Sequence, residues 1–177
     1  MIITRTPLRM SFVGGGSDMP SFYKYSAGAV ISSAIDKYVY VMLQKKFDDK
    51  IRISYAQNEL VKNRTEIKHP IIKNILEYYQ INKGLEIVSI ADIPSKGSGL
   101  GSSSSFTVGM LNAINRFLGK KVSKFELGEI ATHIEIDMCK EPIGKQDQFA
   151  SAVGGLNLIQ FNEDDTVNIF PIKMKEE

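Results

Sequence analysis

An α+β fold in two layers is predicted by three observations. Strand-like runs crowd the first third of the chain, helix-like runs occupy the middle, and two more strand-like runs close it. A doubly wound parallel sheet would instead alternate strand and helix throughout.

The elements follow in order. Apolar runs rich in β-branched and aromatic residues predict strands at Ile2–Arg5, Arg9–Val13, Ala29–Ile35, Tyr38–Lys45, Lys50–Tyr55 and Leu85–Ala91. Two further strands are expected at Leu156–Phe161 and Val167–Ile172. Helices are expected at Pro70–Gln80, Ser103–Leu118 and Lys124–Cys139. In the last, Leu127, Ile130, Ala131, Ile134 and Met138 recur at helical spacing, and Ser123 with Glu126 forms a capping box. No repeat, low-complexity tract or Pro/Gly linker interrupts the chain, so residues 1–177 read as one domain.

Composition narrows the function classes. Hydrophobic residues make up 43% and charged residues 24%, an ordinary globular balance. The net charge is 22 − 20 = +2, which gives no broad field for nucleic acid or membrane, so any anion site must be local. Cys139 is the only cysteine, which excludes an intrachain disulfide and a cysteine-based metal cluster. His69 and His133 each lack a second histidine at ligand spacing and are expected to be structural. Arg5 falls where a signal peptide needs its apolar run, and no segment reaches the ~20 apolar residues of a membrane span. A cytoplasmic protein is the expectation.

The strongest local signal is Pro94-Ser95-Lys96-Gly97-Ser98-Gly99-Leu100-Gly101-Ser102-Ser103-Ser104-Ser105, placed between a predicted strand and a predicted helix. Glycines at alternate positions admit close approach of a ligand, and the helix start supplies amide donors and a positive dipole end. A Walker A loop would require Gly-Lys-Ser/Thr, and the dinucleotide fingerprint requires G-x-G-x-x-G; this loop has neither. A flexible linker would be polar on both sides, whereas Phe106, Val108, Met110, Leu111, Ile114 and Phe117 continue an apolar helix face.

The pattern Pro-x-x-Gly-x-Gly-Leu-Gly-Ser-Ser resembles the second motif of the GHMP kinases, with one extra residue before its first glycine. Two other segments agree in chain order. Arg5-Thr6-Pro7-Leu8-Arg9-Met10-Ser11-Phe12-Val13-Gly14-Gly15-Gly16-Ser17-Asp18 is similar to the first motif, with Gly15-Gly16 in place of the Glu-His pair of galactokinases. That departure points away from galactose and toward the heptose-7-phosphate and fucose-type kinases. Gly144-Lys145-Gln146-Asp147-Gln148 resembles the G-x-x-D-Q segment, most closely in D-glycero-D-manno-heptose 7-phosphate kinases.

The resemblance implies the GHMP N-terminal domain, a two-layer α+β fold like ribosomal protein S5 domain 2, with the family's C-terminal domain and third motif absent from this chain. It implies ATP and Mg²⁺. Gly97, Ser98, Gly99, Leu100, Gly101, Ser102 and Ser103 would hold the ATP phosphates, and Ser103 with Glu135 would ligate the metal, as oxygen donors suit this hard cation. Asp147 would accept the proton of the sugar's anomeric hydroxyl, and Arg9 would keep that carboxylate ionised. Ser17 and Asp18 would bind sugar hydroxyls. Arg5, Lys24, Lys37 and Lys145 are candidates for the substrate's own phosphate. The expected partners are a small sugar phosphate, ATP and the absent domain, with self-association through the face that domain would cover. A fucose- or galactose-type kinase, or a non-catalytic ligand sensor of the same fold, are the alternatives.

Overall fold

One 18-residue strand organises the sheet. The structure, a computed structural model, describes residues 1–93 and 98–174. Among them lie strands β1 (Ile2–Val13), β2 (Gly28–Lys45), β3 (Ile51–Ser54), β4 (Asn58–Val61), β5 (Leu85–Ala91), β6 (Leu156–Phe161) and β7 (Val167–Pro171). The helices are α1 (Pro20–Tyr23), α2 (Pro70–Tyr78), α3 (Ser102–Phe117), α4 (Lys124–Thr132) and α5 (Gln146–Val153).

Strand β1 runs antiparallel along one edge of β2, and the other edge is shared. There β5 pairs with Val39–Lys45, while β6 pairs with Gly28–Ser33. Strand β3 joins β5 in parallel and carries β4 outside it, and β7 completes the other flank against β6. Helix α3 lies on β1 and β2, with α4 and α5 packed beside it. The core between the layers is built from Leu8, Val39, Val41, Ile53 and Ile87 of the sheet and Ile75, Met110, Leu111 and Ile134 of the helical layer. The two-layer α+β expectation therefore holds.

Contact between the layers is closest at Gly109. A Cβ there would sit 2.7 Å from Thr6 Oγ1, and the Gly109 carbonyl accepts the Thr4 hydroxyl at 2.9 Å. Among the described residues no helix is long and apolar enough to cross a membrane.

The element boundaries differ from expectation in instructive ways. Ile2–Arg5 and Arg9–Val13 are one strand, and so are Ala29–Ile35 and Tyr38–Lys45. Pro7 does not break β1 because it lies on an edge strand, where a missing donor is tolerated. Its carbonyl accepts the Ser105 hydroxyl at 2.9 Å. The interruption is a bulge: Pro7 faces Tyr38 and Arg9 faces Ala34, leaving Ile35, Asp36 and Lys37 opposite Leu8. The helix expected over Lys124–Cys139 is α-helical only to Thr132 and continues as a π-helical segment, His133–Met138. The capping box of Ser123 and Glu126 is formed. Strand β4 and the short helices α1 and α5 were not predicted.

Candidate active site

The site is assembled where β1 passes the bulge of β2 and meets the start of α3 and the start of α5. In a regular strand Leu8 and Arg9 would point to opposite faces. The bulge lets both be buried, Leu8 in the core and Arg9 beside the loop that precedes α3. The Arg9 backbone N–H then donates to Leu100 O at 3.1 Å, tying that loop to the strand.

Arg9 makes a two-pronged pair with Asp147. Its Nε donates to Oδ1 and its Nη2 to Oδ2, both at 2.7 Å, while Nη1 donates to the Gly99 carbonyl at 2.8 Å. One planar guanidinium thus connects the acid to the glycine turn before α3. Burial pushes the Asp147 carboxyl up from its ordinary value, Arg9 pulls it down, and the Asp18 charge adds to the rise. The net direction is upward. Burial is the largest influence here, and the arginine opposes it.

The loop is shaped for close approach. Gly99 and Gly101 both have positive φ (65° and 71°), and Gly101 caps α3 in the left-handed conformation. A Cβ on Gly101 would lie 3.2 Å from Arg9 Nε and 3.3 Å from Asp147 Oδ2, so the loop backbone rests directly on the ion pair. Ser98, Gly99, Leu100, Gly101, Ser102 and Ser103 form this turn and the start of α3, while Gly97 lies outside the described residues. Any helix leaves its first amides without intrahelical acceptors, and the 16-residue α3 begins here. A cavity of about 440 Å³ opens at this point, lined by Arg9 to Gly15, Gly99, Leu100 and Gln146.

Glu135 is 1% exposed and is brought to α3 by the π-helical segment. Its carboxylate accepts from Ser103 Oγ (3.1 Å), Ser104 Oγ (2.7 Å), Thr107 Oγ1 (2.8 Å) and Gln148 Nε2 (2.5 Å). Burial pushes its pKa up, and those donors oppose the rise. Ser103 and Glu135 are therefore adjacent, and a hydroxyl with a carboxylate is the donor set that Mg²⁺ accepts beside substrate phosphates.

Asp18 is 2% exposed. Its Oδ1 accepts from Gly16 N and Gln146 Nε2, both at 3.0 Å, and its Oδ2 accepts from Gln146 N at 3.1 Å. Gly144 is needed because a Cβ there would fall 1.9 Å from Asp18 Oδ2. Ser17 donates its hydroxyl to Gly14 O at 2.7 Å and accepts from Ala29 N at 3.1 Å, which fastens the glycine loop to β2.

The four basic candidates do not converge on this site. Lys24 and Lys145 both pair with Asp165 (3.2 and 3.3 Å), Arg5 lies over the Tyr38 ring, and Lys37 is exposed in the bulge. His69 packs between Tyr55 and Phe106, and His133 pairs with Asp137 at 2.8 Å. Gln146, Gln148 and Thr107 were not foreseen as site residues. For the two glutamines the signal was present, since both flank Asp147 in the motif.

Residues 59–155 match the family described as GHMP kinases N terminal domain. The chain is 30% identical to the D-glycero-alpha-D-manno-heptose 7-phosphate kinase of Campylobacter jejuni, over 98% of this chain and 55% of that protein. It is 27% identical to the galactokinase of Pyrococcus furiosus, over 94% of this chain and 48% of that one. A crystal structure of a D-glycero-D-manno-heptose 1-phosphate kinase from Bacteroides thetaiotaomicron superposes with a TM-score of 0.91 at 28% identity, over 99% of this chain and 61% of that one. The chain spans about half the length of these curated relatives.

Proposed function

The chain belongs to the GHMP kinase family, and on that premise we propose that it forms the nucleotide- and acceptor-binding part of an ATP-dependent sugar kinase. The observation that carries the reading is the contact between the Arg9–Asp147 pair and the Gly99–Gly101 turn. A proton acceptor touching an anion-binding helix start is what transfer of a phosphoryl group to a hydroxyl requires.

The residues divide the work as follows. The turn from Ser98 to Ser103, with Gly97, holds the nucleotide phosphates on backbone amides and serine hydroxyls. Asp147 accepts the proton of the attacking hydroxyl, and its raised pKa makes it a better base than an ordinary aspartate. Arg9 orients that carboxylate through two bonds and places positive charge beside the transferring group. Mg²⁺, held by Ser103 and Glu135, would neutralise phosphate charge. Asp18 and Ser17 shape the acceptor side of the cavity, Ser17 by fastening the loop and Asp18 through the partners it holds.

The acceptor we favour is D-glycero-D-manno-heptose 7-phosphate, phosphorylated at its anomeric hydroxyl, in keeping with the Gly14-Gly15-Gly16-Ser17-Asp18 loop and the heptose-phosphate relatives. A cytoplasmic location suits ATP as substrate. We also propose that the chain alone self-associates through the outer face of its sheet, where Ile3 and Ile90 are more than half exposed.

The test is ADP release by the full-length gene product over a panel of heptose 7-phosphate, fucose, galactose and homoserine. Turnover selective for the heptose supports the reading. Selectivity for another acceptor reassigns the substrate, and tight ATP binding without turnover of any would make the protein a sensor.

A further inference from the structure

Gln146 connects the buried Asp18 to the active-site cavity. An amide group normally leaves its oxygen and nitrogen interchangeable, but here the choice is forced. Asp18 Oδ1, a pure acceptor when ionised, lies 3.0 Å from the amide, so the nitrogen must face it. The backbone N–H of Gln146 is bound to Asp18 Oδ2 as well, which removes the remaining freedom of the residue. The amide oxygen is consequently fixed on the other side. Among the described residues no donor reaches Gln146 Oε1, and the atom is shut away from solvent. Ser11 Oγ is in the same condition. Both residues line the 440 Å³ cavity that also holds Arg9, with Asp147 next in sequence to Gln146.

An unpaired buried acceptor costs about 1–3 kcal/mol, so its retention calls for a partner. A substrate donor is the partner the placement favours. Asp18 is 2% exposed and already accepts three hydrogen bonds, two of them from Gln146.

We propose that Gln146 is the specificity-determining residue for the acceptor: its Oε1 accepts a hydrogen bond from the sugar hydroxyl neighbouring the one that is phosphorylated. Ser11 Oγ faces the same ligand as a second polar contact. Asp18 acts one step behind, as a positioning residue that fixes the amide. The ligand class is a vicinal polyol, and a compound with a single hydroxyl would lose this contact. The inference rests on the kinase reading and deepens it.

The experiment is calorimetric binding of heptose 7-phosphate and its 2-deoxy analogue to the full-length gene product, with ADP release measured in parallel. Wild type is expected to prefer the 2-hydroxy sugar by on the order of tenfold or more. Gln146→Leu should weaken the 2-hydroxy sugar and leave the 2-deoxy analogue nearly unchanged, so the preference collapses. Asp18→Asn lets the amide turn over and should erode the same preference with Gln146 intact. Equal loss for both sugars in Gln146→Leu, or an unaltered preference, overturns the assignment. If turnover of the heptose persists under either result, the kinase reading stands and only this inference fails. If wild type neither binds nor phosphorylates the pair, both fail together.

Discussion

Asp147 stands between opposing influences, and their sum sets how it can act. Burial and the Asp18 charge raise its pKa, Arg9 lowers it, and the balance is upward. Below that pKa the carboxyl is protonated and cannot accept a proton, so kcat/KM should fall as pH drops through a value above the ordinary aspartate range. Asp18→Asn removes a charge that contributes to the rise, so the acid limb should move to lower pH in a pH–rate profile. A limb that stays in place would show that Asp18 does not act on Asp147 electrostatically. Arg9, Asp18 and Asp147 were legible in the sequence because three motifs occur in family order. That Asp18 is covered by Gln146 and Gly16 was not, since it depends on two segments 128 residues apart meeting in space.

Elements were legible where their periodicity ran long enough. Helix α3 and strands β5 and β6 lie within a residue of the expected bounds, since apolar spacing and glycine punctuation agree there. Helix α5, which carries Asp147, has eight residues and too few turns to show a period. The bulge of β2 opposite Leu8 disturbs alternation along β1, where Leu8 and Arg9 are buried in succession, so one strand reads as two. The π-helical segment has no signature in residue type, yet it delivers Glu135 to α3. Contact between the layers yields a prediction at this scale. Gly109→Ala would place a methyl against the Thr6 hydroxyl and disturb the bond from Thr4, at a cost of about 1–3 kcal/mol in urea unfolding. An unchanged midpoint would mean that the two layers are less closely fitted than the structure has them.

At the scale of the molecule, the sheet has one face under helices and one that is largely bare. Across β1, β2 and β5 the bare face carries the row Ile3, Met42 and Val88, followed by Arg5, Tyr40 and Ile90. Such a surface should associate, and sedimentation of the isolated chain is expected to show a concentration-dependent dimer or larger species. Replacing Ile3 and Ile90 by serine should shift it toward monomer while changing stability by no more than about 0.5 kcal/mol each. A monomer at every concentration would remove the proposal. The central claim is that this layered frame brings a base, Asp147, against the phosphate loop. The most direct measurement is the kcat of Asp147→Asn in the full-length gene product, with ATP affinity measured alongside. A fall of about 10²- to 10⁴-fold with ATP affinity preserved is the result the account predicts. A kcat close to wild type would contradict it and place the proton acceptor elsewhere.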